Sequence, residues 1–265
     1  MSRFSKLSGC CDISHFITTR HGGVSVGTFA SMNPGLYSAD EPSAVRKNLE
    51  ILAEAIELPV ENIYMPHQTH QDKIVSIDHA FLELDKSLQQ QQLEGVDALV
   101  TNLPNVCVAV STADCVPVLI YAPDQKVVAA IHAGWRGTVL RIAQQTIALL
   151  VRAYGCDPKQ MVAGIGPSIS QKAFEVGEEV VAAFADAGFP MERILCWNPK
   201  TGKGHIDLWE ANRLQLLEAG LSSEHVEISG ICTYASCEDY FSARRLGIRS
   251  GRIVSGLFLK KMITL

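Results

Sequence analysis

The 265-residue chain has no excess of positive charge: Lys and Arg number 23 against 28 Asp and Glu, a net charge of −5. That balance excludes a broad basic footprint for nucleic acid or an anionic membrane. No apolar run is long enough to span a bilayer, and the first residues lack the apolar core of a secretory signal. The eight cysteines, at 10, 11, 107, 115, 156, 196, 232 and 237, form no C-x-x-C pair and no disulfide-framework spacing. A reducing cytoplasm is the expected location. The glycine fingerprints of dinucleotide and P-loop sites are missing, as are H-E-x-x-H and G-x-S-x-G. No internal repeat, linker or composition break divides the chain.

What is present is an ordinary globular composition, 47% hydrophobic and 19% charged, with ample material for a core. Short β-rich runs outnumber helical ones and several read as hairpins, which argues against strict βα alternation. The expectation is an α+β fold, residues 1–265 as a single domain of mixed β-sheets flanked by helices. Helices are expected from Asp40 to Ile56, Thr138 to Tyr154, Glu175 to Ala187 and Asp207 to Glu218, with Asp207 as a cap. The polar stretch Phe81 to Gln92 reads as an exposed loop, open to motion. Ile253 to Leu259 reads as the last strand.

The densest chemistry lies between Val106 and Thr138. Val116 to Ala122 and Val127 to Ile131 are apolar and rich in β-branched residues, and Pro123 to Lys126 is turn chemistry. A two-residue loop at Asp124 and Gln125 places Pro117 opposite His132. Cys115 then lies diagonally beside His132 on the same face. A thiol and an imidazole at the end of a buried hairpin suit two chemistries, a transition-metal site or an activated cysteine nucleophile. Asp114 stands in an otherwise apolar run, where a carboxylate needs a partner. In a regular strand it would face away from Cys115, so a role beside the thiol requires a bend at Thr112-Ala-Asp. His67 and His70 follow a short strand, and extended chain there favours one ligand rather than two. Spacing alone does not say which.

Eight stretches together resemble a known family: Thr18-Thr-Arg-His-Gly-Gly-Val-Ser25, Phe29-Ala-Ser-Met-Asn33, Gln68-Thr-His70, Asp97-Ala-Leu-Val-Thr101, Thr112-Ala-Asp-Cys115, His132-Ala-Gly-Trp-Arg-Gly137, Gly164-Ile-Gly-Pro167 and Phe241-Ser-Ala-Arg-Arg245. In this order, over nearly the whole chain, they are similar to the multicopper polyphenol oxidase (laccase-like) family, also called the YfiH family. The resemblance implies a mixed α/β fold once grouped with cysteine hydrolases. It implies one zinc site with His70, Cys115 and His132 as ligands. It further implies phosphorolysis of purine nucleosides (adenosine, inosine, guanosine, methylthioadenosine) together with adenosine deamination. Phosphate and a purine nucleoside are the implied partners, with no nucleic acid or membrane and no indicated oligomeric state. Gln71 and Ser168 depart from common family residues, which bears on pocket shape.

Two alternatives come with the resemblance, a copper-dependent polyphenol oxidase and a peptidoglycan-editing cysteine hydrolase. Oxidase chemistry passes four electrons to oxygen and calls for several coppers. Eight histidines with no His-x-His pair furnish one three-ligand site. Copper is nonetheless a possible substitute for zinc, because cupric ion binds such ligands more tightly. Phosphate needs cationic donors, and Arg136, in a glycine-flanked stretch four residues after His132, ranks first. Arg20, Arg244 and Arg245 are further phosphate candidates. Asp114 is the candidate proton carrier for deamination, and Asn33 the candidate for holding substrate.

Overall fold

The computed structural model describes residues 1–261. It has the mixed α+β architecture expected, built on three sheets. The largest has six strands in the order Val226–Ile228, Val162–Ile165, Val116–Ala122, Val127–Ala133, Ala98–Thr101 and Ile74–Ser76. Its two outer pairs are parallel and its central pairs antiparallel. The second sheet runs Ile13–Ile17, Ile253–Leu259, Cys107–Thr112 and Ile63–Tyr64. A small antiparallel ribbon joins Leu195–Trp197, Gly204–Ile206 and Glu175–Val176.

The central hairpin has the register its sequence implies. Pro117 pairs with His132 and Ala122 with Val127. Every residue of both strands is buried, so neither strand shows a polar face. One face of the six-stranded sheet packs on the helices Ile142–Tyr154 and Leu208–Glu218 through Val118, Ile120, Ile131, Ile147 and Leu214. The other face meets the four-stranded sheet through Leu119, Tyr121, Val108 and Leu257. The helix Pro42–Ala55 covers the far side of that second sheet with Val45, Leu49 and Leu52. The core therefore lies in layers on both sides of the hairpin, whose open end is left for chemistry.

Three glycines in these layers are required by close packing, in each case against an aromatic ring and at Gly256 also against the Cβ of Ala109, rather than by backbone conformation. A methyl at Gly164 would lie 2.4 Å from the ring of Phe4, one at Gly251 2.4 Å from Phe241, and one at Gly256 2.8 Å from Phe16. Each is closer than carbon atoms pack.

Some elements differ from the sequence-based expectation. Phe81 to Gln92 is not an open loop. It forms the helices His79–Glu83 and Lys86–Gln92, capped by Asp78 and Asp85. Gln89 is buried there and donates to the carbonyls of Phe81, Leu82 and Leu84, satisfying a loop that its polarity made look solvated. The helix expected from Thr138 is two helices, Trp135–Val139 and Ile142–Tyr154, broken where Arg141 takes a left-handed φ of 62°. Glu175 and Val176 belong to a strand, and the helix after them is Glu178–Asp186. Asp207 caps its helix as expected, accepting from the Glu210 N–H. Ile253–Leu259 has the expected bounds. Among the described residues no helix is long and apolar enough to cross a membrane.

Candidate metal centre

The open end of the hairpin brings Cys115 and His132 together, and a loop after Pro66 adds His70. The three donor atoms lie within 4.8 Å of one another. Their elements explain the convergence. Cys115 ends a bend, Ala113 to Cys115, between the strands Cys107–Thr112 and Val116–Ala122. His132 is the penultimate residue of the neighbouring strand Val127–Ala133. His70 sits in a loop at a left-handed φ of 65°, with its ring edge-on to His132 at 4.9 Å.

Asp97 organises this loop and the hairpin at once. It is fully buried. One carboxylate oxygen accepts from His132 Nδ1 at 2.6 Å and from the His70 N–H at 3.1 Å. The other accepts from the N–H of Thr69 and of Gln71. The His132 contact assigns Nδ1 as the protonated nitrogen and leaves Nε2 to face the thiol. Burial pushes the Asp97 carboxyl up, but the hydrogen bond and charge of His132 and the backbone N–H groups outweigh it and hold the group ionised.

The same network polarises the Cys115–His132 pair. Burial alone would raise the thiol, but the charge and hydrogen bond of His132, helped by His70, bring it down. Burial would lower His132, but Cys115 and Asp97 together raise it. A thiolate held against imidazole nitrogens is the donor chemistry of a zinc site. Gly134 completes the cradle. A methyl there would come within 3.0 Å of Cys115 Sγ and 3.1 Å of His70 Cδ2, so the absence of a side chain keeps the space between the donors open. The residues present thus fit one ion with three protein ligands.

Two cavities meet at this cluster. The larger, about 410 Å³, is walled by Trp135, Ile169, Phe174 and Leu208, with Asp114 and Arg244 at its edge. The smaller, about 160 Å³, is lined by Tyr37, His67, Gln68, Ser111 and Arg252. His70, Ala113, Cys115 and Ile248 line both. A still larger surface cavity, about 470 Å³ beside the helix Pro42–Ala55, contains none of the three donors, and chemistry rather than size decides which cavity matters.

The other expected site residues are placed as follows. Asp114 lies in the required bend and lines the larger cavity. Its carboxylate accepts from Thr233 Oγ1 at 2.6 Å and from the Arg244 N–H at 2.8 Å. Arg244 lines the same cavity, donates to the Glu175 carbonyl and lies 5.6 Å over the Phe174 ring. Arg136 does not line either cavity. Gly134 caps a helix there, so Arg136 points outward and lies over Trp135. Arg20 donates to the carbonyls of Ala30 and Cys237 and covers Phe241. Arg245 lies over Tyr234. Asn33 is fully buried and holds backbone, accepting from the N–H of Gly35 and Arg252, while its amide donates to Ser38 and Asp40. His67 pairs with Glu94 at 2.6 Å and stacks on Tyr37, outside the donor cluster.

Sequence reasoning missed Asp97, Arg252 and the aromatic wall of Trp135 and Phe174. Asp97 carried a signal, a carboxylate at the mouth of a buried apolar strand. Arg252 carried none.

A family model described as multi-copper polyphenol oxidoreductase laccase matches residues 14–260. A purine nucleoside phosphorylase of Bacteroides thetaiotaomicron is 49% identical over 261 residues, 98% of this chain and 97% of that protein. Adenosine deaminase RL5, from an unknown prokaryotic organism, is 41% identical over 94% of each chain. The crystal structure of YlmD from Geobacillus stearothermophilus superposes with a TM-score of 0.86 at 33% identity, covering 95% of this chain and 93% of that one.

Proposed function

The chain belongs to the multi-copper polyphenol oxidoreductase laccase family, and on that premise we propose that it is a zinc-dependent purine nucleoside phosphorylase with adenosine deamination as a second activity. The observation that carries this reading is the convergence of His70, Cys115 and His132 where two cavities meet, with His70 and Cys115 on their shared wall and His132 on the smaller cavity. Among the described residues that is the one cluster of three such donors, and oxidation through several coppers has no second set to use. One thiolate and two imidazoles suit zinc, which when bound supplies a Lewis acid with an open fourth position.

The chain's own residues divide the remaining work. The apolar walls of Trp135, Phe174 and Leu208 exclude water and offer flat surfaces to a purine. Arg244, held over Phe174, brings positive charge to that wall, where the leaving purine gains negative charge. Among the described residues Asp114 is the only carboxylate lining that cavity, and we assign it to carry the proton in deamination. The bonds from Thr233 and the Arg244 N–H orient it for that task.

A second reading rests on a specific feature. Cys115, His132 and Asp97 stand in the order of a cysteine nucleophile, its base and the group that orients the base. His70 at the same thiol favours the metal, because a metal-held thiolate is a poor free nucleophile. Metal-quantified protein assayed chromatographically with inosine and adenosine, with and without phosphate, decides the matter. Inosine should give hypoxanthine only when phosphate is present, and Asp114→Asn should suppress ammonia release from adenosine. Inertness toward every purine nucleoside, beside cleavage of a cell-wall peptide by metal-stripped protein, would establish the hydrolase instead.

A further inference from the structure

The two cavities at Cys115 differ in more than size. At about 410 Å³ the larger falls within the range of pockets that enclose a small organic ligand, roughly 300–1,000 Å³. At about 160 Å³ the smaller falls below it and takes a compact group. Its walls mix polar side chains, among them His67, Gln68 and Ser111, with apolar ones, and of the arginines among the described residues Arg252 alone lines it.

Arg252 is built to receive an anion. Among the described residues no carboxylate lies within ion-pair distance of it. Nη1 donates to the carbonyls of Ser250 and Gly251, at 2.7 and 3.0 Å, and Nη2 donates to the Ile248 carbonyl at 3.1 Å. Three of its five donors are thereby used. The Nε–H and one Nη2–H have no acceptor among the described residues, and Nε and Nη2 share the edge of the guanidinium that grips an oxyanion with two parallel bonds. The side chain is also held in advance. Asn33 Oδ1 accepts the Arg252 N–H at 2.9 Å, and Gly35 packs so closely that a methyl there would lie 2.8 Å from Arg252 Cβ. Carbonyls fix the guanidinium without an ion pair, and the negative charges of Cys115 and Asp114 act on it only from beyond ion-pair distance.

We propose, resting on the phosphorolytic reading above, that the small cavity is the phosphate subsite and Arg252 its anchor. The nucleoside base occupies the larger cavity. The two reactants meet only at the shared wall of His70, Ala113, Cys115 and Ile248, which places C1′ of the ribose there. A phosphate oxygen bonds to C1′ as the C1′–N9 bond breaks, and its electron pair goes to the purine. The proton of monohydrogen phosphate passes to the purine nitrogen, giving ribose 1-phosphate and the free base with no further reactant. Arg20, Arg136 and Arg245, outside both cavities, have no part in it.

The test uses the full chain loaded with zinc, as wild type, Arg252→Gln, Arg252→Lys and Arg136→Gln. Phosphate KM and inosine KM are measured separately, and binding of radiolabelled orthophosphate is measured by equilibrium dialysis without nucleoside. Losing two charge-assisted hydrogen bonds should raise the phosphate KM by about tenfold or more in Arg252→Gln. Inosine KM should stay within about twofold, as expected if the lost bonds reach only phosphate. Arg252→Lys should recover part of the loss, since it restores the charge without the fork. Unchanged phosphate saturation in Arg252→Gln, or a shift that follows Arg136→Gln instead, overturns the proposal. If wild-type protein cleaves no nucleoside, the functional reading fails by itself. The dialysis still decides the subsite: orthophosphate bound by wild type and lost in Arg252→Gln supports it, and equal retention overturns it.

Discussion

Replacing Asp97 by Asn tests whether one carboxylate assembles the donor cluster. The substitution keeps shape and volume but turns one acceptor oxygen into a donor. Asp97 accepts four N–H groups, two on each oxygen. Whichever way the Asn amide lies, one pair of donors faces its NH₂. The pair is either His132 and His70 or Thr69 and Gln71. An unsatisfied buried donor costs about 1–3 kcal/mol, so two lost acceptors should cost roughly 2–6 kcal/mol. The lower end applies, because the desolvation penalty of the buried charge disappears with it. His132 also loses the partner that sets its tautomer, for which metal affinity typically falls about 10–100-fold. Urea unfolding of the metal-free variant, followed by circular dichroism, gives the first quantity. Zinc competition against a calibrated chelator gives the second. Stability within about 0.5 kcal/mol of wild type, together with unchanged zinc affinity, would refute the role assigned to Asp97.

Three further outcomes are expected. Cys115→Ala should abolish bound zinc and nucleoside cleavage together while far-UV circular dichroism stays native-like; full zinc occupancy by elemental analysis would remove Cys115 from the ligand set. Gly134→Ala pushes a methyl toward two donors and should weaken zinc binding by about tenfold with the fold kept, read by the same chelator competition. Acid stability should carry the mark of His15, whose Nε2 accepts the Phe4 N–H at 2.8 Å and whose pKa burial and the Arg3 charge lower to about 4. The unfolded chain binds that proton near pH 6.5 and the folded chain resists it, so stability falls between pH 6.5 and 4 and levels off below. The loss is about 3 kcal/mol before solvent screening and roughly 2 after it, and His15→Gln should flatten that part of the urea midpoint against pH.

How far the site could be read from the sequence depended on how local each determinant is. The hairpin register followed from a two-residue loop between two apolar, β-branched runs, so the Cys115–His132 pairing was visible without any relative. His70 was not. It is placed by a left-handed backbone and by Asp97 capturing three successive N–H groups, a contact across 26 to 28 residues that leaves no periodic trace. Arg136 attracted attention through its flanking glycines, but Gly134 opens a helix and sends that side chain outward. Arg252 stands in a polar stretch with no spacing pattern, and only its register beside Asn33, 219 residues away, brings it to the cavity. The stretch Phe81 to Gln92 misled because polarity was read as exposure, although Gln89 spends its polarity on three buried carbonyls.

The glycine–phenylalanine contacts imply a constraint that acts on pairs of positions. Gly164 and Gly251 have no left-handed backbone to demand a glycine; the demand comes from the rings of Phe4 and Phe241. A side chain at either glycine is intolerable only while its ring remains, whereas Gly256 is also closed off by the Cβ of Ala109. Across related sequences, positions 4 and 164 should therefore change together, a larger residue at 164 accompanying a smaller one at 4. Positions 241 and 251 should do the same. In the laboratory such a pair would show sign epistasis: Gly164→Ala harmful in the native background and tolerated beside Phe4→Ala, which removes the whole ring including the Cγ that the new methyl would meet.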